Sequence, residues 1–217
     1  MTVLTGQQIA DESPDGWTNL GDGLQTRIRT GTFAAGLALV DAIGATAEEL
    51  DHHPDLNLRY THIDVRLVSH DVRGVSRRDI RMARRITALA AEAGATLEHA
   101  GLARLELALD SPAHRAVLPF WGAVLGVAPV AGAEPDNEIL DPYGALPPVW
   151  FQRSGDEEPR QRWHPDVWVD PGQVRQRIDA ALAAGGTLVS DAGAPSFWVL
   201  ADPEGNRACL CTWQQRD

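Results

Sequence analysis

Histidine is the residue type with the clearest chemical potential in this chain. Four of the seven histidines fall within nineteen residues, at His52, His53, His62 and His70. Imidazole has an unperturbed pKa of about 6.5, so it can both give and accept a proton near neutral pH. The cluster therefore predicts either general acid/base catalysis or a zinc site, since three neutral imidazoles are enough for a catalytic zinc.

The spacing of these histidines favours acid/base catalysis. Two histidines four residues apart on one helix are typical of a metal site. That spacing is missing here, and the adjacent His52 and His53 are poorly placed to bind one ion together. At a helix end, adjacent side chains point in different directions, so one can reach into a cleft while the other orients it. A facing strand that ends in His70 would bring a third imidazole there, although any one histidine alone is more often a surface or capping residue.

Turn and cap signals predict the elements that lead up to the cluster. Gly21-Asp22-Gly23 is typical of a hairpin turn. Thr32 begins a helix that reaches about Leu50. We expect its apolar stripe at Phe33, Leu37 and Val40. His53-Pro54 ends the helix, because the residue before a proline avoids the helical conformation.

A strand and a second helix follow the cluster. Residues 60–70 alternate between apolar and polar side chains, which is typical of a half-buried strand. Ser76 begins the next helix, and Asp79 stands three residues later in an arrangement close to a capping box. Asp79 can therefore serve as a cap, as a functional carboxylate, or as both.

The segment from Glu48 to Asp79 strongly resembles the signature of the pterin-4a-carbinolamine dehydratases. That signature reads an acidic residue, three residues, His-His-Pro, five or six residues, an aromatic residue, nine residues, a histidine, a short spacer and an aspartate. Its positions are filled here by Glu48, His52, His53, Pro54, Tyr60, His70 and Asp79. The resemblance covers about residues 5–93 and includes Gly16-Trp17. The helix after Phe33 departs from it, because it lacks the family's several bulky aromatic residues.

The resemblance implies an α+β domain with a four-stranded antiparallel sheet and helices on one face. Such a domain dehydrates 4a-hydroxytetrahydrobiopterin to the quinonoid dihydropterin without a metal or an organic cofactor. By resemblance the catalytic residues are His52, His53 and His70, with His52 and His70 as the acid/base pair and His53 holding the pterin. The implied substrate-binding residues are Trp17, Glu48, Pro54, Tyr60 and Asp79. His62 is outside the signature, and we interpret it as an exposed strand residue.

The family is often homo-oligomeric, and some relatives act as dimerisation partners. The resemblance therefore leaves open a second reading, in which this half is a non-catalytic binding or scaffold protein. The complete histidine set favours catalysis, because a scaffold has no chemical need for it.

The second half contains a weak internal repeat. Residues 105–112 predict a strand ending in an aspartate and followed by a helix that closes at 125–126, and residues 166–172 begin a second copy whose helix closes at 184–186. Three strand candidates follow each helix, near Ala128, Glu138 and Trp150 and near Thr187, Phe197 and Ala208. The order is βαβββ twice over, with 153–162 as the connection. We therefore divide the chain into domains of residues 1–98 and 99–217.

This repeat resembles the vicinal-oxygen-chelate superfamily, particularly its glyoxalase-like and bleomycin-resistance-like members. The matching pieces are 120–126, 164–169 and 202–206. The resemblance implies two paired βαβββ units forming a cupped sheet that holds a small molecule. Metal-dependent members take two ligands from each unit. His164 fits one of these positions, but Cys209 replaces the terminal Glu, and the first unit offers only Ala103 or Arg104.

We therefore expect no metal in the second half, and a ligand site there with His164, Gln152, Cys209 and Trp168. A metal-dependent lyase or dioxygenase activity is the alternative, which metal analysis would reveal. Cys209 and Cys211 are too few for a disulfide framework, and we expect them to be buried thiols that behave as small apolar groups.

Composition narrows the remaining classes. The net charge of -11, with 30 acidic against 19 basic residues, argues against a nucleic-acid partner, because phosphate binding needs clustered positive charge. No apolar run approaches the roughly 20 residues of a membrane span, and the first residues carry no signal-peptide pattern. We expect a cytoplasmic homo-oligomer without a membrane partner and without a cofactor, acting on a small pterin.

Overall fold

The computed structural model describes residues 2–21, 23–112, 114–125, 127, 137–142, 144–153, 163–201, 205 and 207–216. The chain divides into two compact units. The first comprises Met1–Ala103, Val169–Gln173 and Thr212–Asp217, and the second comprises Arg104–Trp168 and Val174–Cys211.

The first unit is an α+β fold. Its elements are α1 (Gly6–Glu12), β1 (Thr18–Leu20), β2 (Gly23–Arg29), α2 (Phe33–Leu50), β3 (Asp55–Arg59), β4 (His62–Leu67), α3 (Arg77–Glu92) and β5 (Thr96–Glu98). The sheet order is β1-β2-β4-β3, and all pairings are antiparallel. β5 pairs with the same edge of β2 as β1 does, further along the strand, so five strands form a sheet four strands wide. This confirms the predicted four-stranded antiparallel sheet.

The apolar face of this sheet carries the helices. Along β4 the side chains alternate between buried and half-buried, with Ile63, Val65 and Leu67 inside. They share one core cluster with residues of α2 and α3, among them Ile43 and Ile86. Burying an aliphatic side chain of this size contributes about 1.5–3 kcal/mol. The core therefore holds both helices against β4.

The predicted apolar stripe of α2 was wrong at Phe33 and Leu37, whereas Val40 packs against the core as predicted. Phe33 and Leu37 are exposed, and the buried residues are Gly36, Leu39, Ile43, Thr46 and Ala47. α2 is apolar on most of its circumference, so hydrophobic spacing alone did not define the inward face. Packing decides it, because a Cβ atom added at Gly36 would stand 2.7 Å from Leu58 Cδ1. A larger residue there would require the tip of the Leu58 side chain to shift, so Gly36 favours the close approach of α2 to β3.

The segment predicted as one strand over 60–70 is shorter and ends earlier. Tyr60 and Thr61 form the turn between β3 and β4, and β4 ends at Leu67. His70 therefore lies in a turn rather than at a strand end, and an isolated bridge from Ser69 to Gly74 closes that turn. Alternating polarity describes the half-buried strand but does not mark where the backbone stops pairing.

The second unit is built on a mixed seven-stranded sheet in the order β10-β11-β12-β9-β6-β8-β7. The elements of this half are β6 (Ala103–Ser111), α4 (His114–Leu125), β7 (Glu138–Ile139), β8 (Val149–Arg153), β9 (Trp163–Val169), α5 (Val174–Ala183), β10 (Thr187–Ser190), β11 (Phe197–Ala201) and β12 (Arg207–Cys211). The second βαβββ copy is complete, and this sheet confirms the predicted fold class. The strand expected near Ala128 lies outside the described residues, as does most of 153–162.

The two faces of this sheet differ in chemistry. Leu107 and Leu109 of β6 pack with α4 and with Phe151 of β8 in a core cluster. Since strand side chains alternate, the opposite face receives the intervening residues. These are Glu106 and Asp110 of β6, Trp150 and Gln152 of β8, and His164, Asp166 and Trp168 of β9. That face is therefore polar and aromatic.

None of the described helices is long and apolar enough to cross a membrane. α2, which has 18 residues, buries only one side and carries Asp41, Glu48 and Glu49. Its apolar residues therefore serve the core of the first unit.

The revised phase of α2 can be tested with a matched pair of leucines. Leu39 is 3% exposed and Leu37 is 49% exposed on the same helix. We expect Leu39→Ala to lower the free energy of unfolding of the first unit by about 2–5 kcal/mol, because it leaves a cavity. Leu37→Ala should cost at most about 1 kcal/mol. Hydrogen–deuterium exchange of β2 and β4 peptides in increasing urea measures both values, and equal losses would contradict the described packing.

Candidate active site

The end of α2 buries the first histidine of the pair. Asp51 adopts a left-handed conformation with φ 47° and terminates the helix. The His52 backbone N–H then donates to the Ala47 carbonyl at 3.1 Å, which turns the chain inward. His52 is 7% exposed, and its Nε2 atom lies 2.7 Å from Oδ1 of Asp79, which is fully buried at the start of α3. The hydrogen bond between His52 and Asp79 therefore links the end of α2 to the start of α3.

The second oxygen of Asp79 is also fully used. Its Oδ2 atom accepts hydrogen bonds from the Ser69 hydroxyl at 2.7 Å, the Ser76 backbone N–H at 2.7 Å and the Ser76 hydroxyl at 3.1 Å. The predicted capping box is therefore present, and Asp79 both caps α3 and contacts His52.

These bonds decide the charge of Asp79. Burial raises its pKa, but the hydrogen bonds from His52, Ser69 and Ser76 outweigh burial and lower the pKa below the ordinary value. An ionised carboxylate can only accept, so His52 Nε2 must carry the proton in this bond. The Nδ1 atom of His52 is then the ring nitrogen that remains for another partner.

A cavity of about 460 Å³ opens beside this bond. The described residues that line it are Asp51, His52, His53, Pro54, Asp55, Val68, Ser69, His70, Asp71 and Arg78. The structure therefore brings His52, His53 and His70 to one shared hollow. Pro54, a predicted substrate-binding residue, lies there as well.

The rim of the hollow is more exposed than its base. His53 Nε2 lies 3.0 Å from Oε1 of Glu48, and both side chains are more than half exposed. Such a surface bond contributes little stability, but it orients the imidazole. His70 lies in the turn after β4, and its side chain is exposed. Arg78 pairs with Asp71, and that hydrogen bond is the main cause that lowers the pKa of Asp71.

Of the predicted substrate-binding residues, only Pro54 is among the described residues that line the hollow. Glu48 and Asp79 contact its histidines from outside the lining, and the other two lie elsewhere. Trp17 is buried in the core, where its indole N–H donates to Thr87 Oγ1 at 2.9 Å. Tyr60 is 78% exposed in the β3–β4 turn. Neither is among the described residues that line the hollow, and neither is His62, which is half-buried on the outer face of β4 rather than exposed.

Ser69 and Arg78 line the hollow without having been predicted. Arg78 lies in the first turn of α3 and is half-buried. The sequence signal for Ser69 was weak. It is a hydroxyl next to His70, and such a hydroxyl can donate a hydrogen bond to any carboxylate that the fold brings close. Only the turn after β4 brings it to Asp79.

The second unit has its own cluster on the polar face of the sheet. His164, Asp166 and Cys209 place one ligand atom each within 4.8 Å of one another. His164 and Cys209 belong to the predicted ligand site. Trp168 lies on the same face, and its indole N–H donates to Glu106 at 2.9 Å. Gln152 is exposed on β8 and is not part of this cluster.

Asp166 was missed in the sequence although its signal was present. A His-x-Asp pair on a strand points both side chains to one face. Cys211 is buried as predicted, whereas Cys209 is half-buried, contrary to the prediction.

A buried histidine–carboxylate pair at the base of a hollow with two further imidazoles has the groups that acid/base chemistry requires. The family model for pterin 4 alpha carbinolamine dehydratase matches residues 2–89, and the model for a glyoxalase-like domain matches residues 106–211. The chain belongs to the pterin-4a-carbinolamine dehydratase family and carries a glyoxalase-like domain in its second half.

Individual proteins are similar to one half or the other. A Mycobacterium tuberculosis protein named "Putative pterin-4-alpha-carbinolamine dehydratase" is 38% identical over 91 residues, which are 41% of this chain and 97% of that protein. A transcriptional coactivator/pterin dehydratase structure from Brucella melitensis is 29% identical, covers 41% of this chain and 99% of its own, and has a TM-score of 0.40. A glyoxalase/bleomycin resistance protein/dioxygenase superfamily member from Vibrio splendidus is 15% identical, covers 51% and 99%, and has a TM-score of 0.35.

Because Asp79 is ionised, we expect the free energy of unfolding of the first unit to depend on pH. Its folded-state pKa is lowered, whereas the unfolded value is about 3.9. The carboxylate therefore contributes stability that is fully present above about pH 5 and is lost as the pH falls through the folded-state pKa. We expect Asp79→Asn to cost about 2 kcal/mol at neutral pH and to flatten the fall in stability below about pH 4.

Urea unfolding of the first unit at several pH values measures this effect. Asp41→Asn is the control, since Asp41 is an exposed carboxylate on α2. Parallel pH dependences for the wild-type chain and Asp79→Asn would contradict the assigned charge.

Proposed function

We propose that the first unit dehydrates a 4a-hydroxytetrahydropterin to the quinonoid dihydropterin. The observation that supports this most is the shared hollow of His52, His53 and His70, with the bond from His52 to Asp79 at its base. In the reaction the C4a–O bond breaks and the hydroxyl leaves as water after taking a proton. N5 gives its proton to the base, and the electron pair of the broken N5–H bond forms the N5=C4a double bond.

This chemistry needs one acid and one base on the same ring system. His52 and His70 are the proposed pair. His52 has a fixed orientation, because Asp79 holds its Nε2–H, and Nδ1 is left to exchange a proton with the substrate. His70 is exposed in the turn after β4, so it can exchange protons with water between catalytic cycles. His53, oriented by Glu48, is proposed to hold the pterin.

Acid/base assistance is sufficient for this reaction. Loss of water changes no oxidation state, so the step requires no electron acceptor. General acid/base catalysis by positioned side chains typically contributes about 10²–10⁴-fold in rate.

Replacement of both proposed catalytic histidines tests the function. We expect His52→Ala/His70→Ala to lower kcat for dehydration of a 4a-hydroxytetrahydropterin by at least about 100-fold, because both proton transfers lose their side chain. The loss of the 4a-hydroxy species is followed spectrophotometrically. His62→Ala is the matched control, since His62 lies on β4 outside the hollow. Circular dichroism checks that the double variant is folded, and turnover within threefold of wild type would refute the assignment.

The same assay distinguishes the alternative function. Wild-type protein that binds a pterin but does not accelerate dehydration would favour a non-catalytic binding or scaffold protein. The homo-oligomer stays a prediction, which light scattering of the purified chain measures directly.

A further inference from the structure

Three side chains of the kind that bind transition metals converge in the second unit. His164 and Asp166 stand two residues apart on β9, and Asp166 lies directly opposite Cys209 of the parallel neighbour β12. Their ligand atoms lie within 4.8 Å of one another. The arrangement depends on two adjacent strands, so it is part of the sheet rather than of a surface loop.

Asp166 is the most informative member of this cluster. It is 7% exposed, and its Oδ2 atom accepts a hydrogen bond from the Trp150 indole at 3.1 Å. Its Oδ1 atom is buried and has no hydrogen-bond donor in the part of the chain that the structure describes. Burying an unsatisfied charged oxygen is costly. The fold therefore holds a carboxylate oxygen ready for a ligand.

The distances agree with tetrahedral coordination. Asp166 Oδ1 lies 3.5 Å from His164 Nε2, which is long for a hydrogen bond. In a tetrahedral zinc site, bonds of about 2.0–2.3 Å separate neighbouring ligand atoms by about 3.3–3.6 Å. A metal ion between the two atoms would therefore require little movement of either strand.

A carboxylate and an aromatic ring flank His164. Oδ2 of Asp110 on β6 lies 3.7 Å from His164 Nδ1, which is next to the ring but beyond hydrogen-bond distance. The Trp150 ring meets the His164 ring edge-on, with centroids 6.2 Å apart. Trp150 thus contacts both His164 and Asp166 and restricts their orientation.

We propose that His164, Asp166 and Cys209 bind one zinc ion, with the fourth position open to water or to an oxygen of a small molecule. Thiolate and imidazole ligands favour zinc over magnesium or calcium. This proposal replaces our expectation of no metal. It also differs from the ligand set of the metal-dependent relatives, which take two ligands from each βαβββ unit. Here all three ligands come from the second unit, and Ala103 and Arg104 of the first contribute none.

Metal binding to the full-length chain tests the proposal. Protein stripped with a chelator is loaded with Zn²⁺ or Co²⁺, desalted and analysed by mass spectrometry for metal content. We expect about one ion per chain. The Co²⁺ form should show a thiolate-to-cobalt charge-transfer band and the strong visible bands of a tetrahedral site. Fewer than about 0.2 ions per chain, or a Co²⁺ form without the thiolate band, would overturn the site.

Variants identify the ligands. Cys209→Ser should remove the charge-transfer band. His164→Gln or Asp166→Asn should weaken zinc affinity at least about 10-fold. Cys211→Ser is the matched control, since this thiol is on the same strand outside the cluster. A band that disappears in Cys211→Ser and persists in Cys209→Ser contradicts the assignment. If Cys209→Ser does not fold, the wild-type Co²⁺ spectrum decides the question.

Chelation separates this site from the proposed function of the first unit. We expect chelator treatment to remove the zinc while leaving the dehydration rate within twofold of the untreated protein. Loss of dehydration with the metal would contradict metal-free acid/base chemistry in the first unit. A chain that takes up neither Zn²⁺ nor Co²⁺ after stripping, yet dehydrates the pterin at full rate, would overturn only the zinc site.

Discussion

The first unit depends on the buried bond between His52 and Asp79. A carboxylate at zero exposure is costly unless its oxygens are filled, and four hydrogen bonds fill them here. Their donors come from the end of α2, the turn after β4 and the start of α3. The bond therefore positions three segments at once, and the hollow lies where these segments meet. Any change that lengthens it would loosen the site and the cap of α3 together.

Both units place a histidine beside a buried carboxylate, but the carboxylates differ in what they still require. Asp79 has each oxygen satisfied by protein donors, so its role is to hold a proton on His52 Nε2 and fix the ring. Asp166 uses one oxygen for Trp150 and presents the other beside His164 and a thiol. The first arrangement suits the proposed proton transfer and the second suits the proposed zinc ion, so the two proposals require no common cofactor.

Family membership accounts for the signature residues, and the structure shows where they lie. Membership in the pterin-4a-carbinolamine dehydratase family explains why the signature residues occur at their spacing. In the structure, that spacing places the three signature histidines around one hollow. The proposed dehydration needs nothing that the second unit supplies. The glyoxalase-like domain has a polar sheet face of its own, which is set by the alternation of β6, β8 and β9.

The sequence by itself determined the helices α2 and α3, the alternation of β4, the cap at Ser76 and the histidines of the hollow, because local periodicity, capping and spacing depend on neighbouring residues. It did not determine the inward face of α2, whose apolar residues surround the helix, or the positions of Trp17 and Tyr60 away from the hollow. Ser69, Arg78 and Asp166 also acquired their contacts only from tertiary structure. Each depends on a partner from another element, and only packing sets the distance between elements.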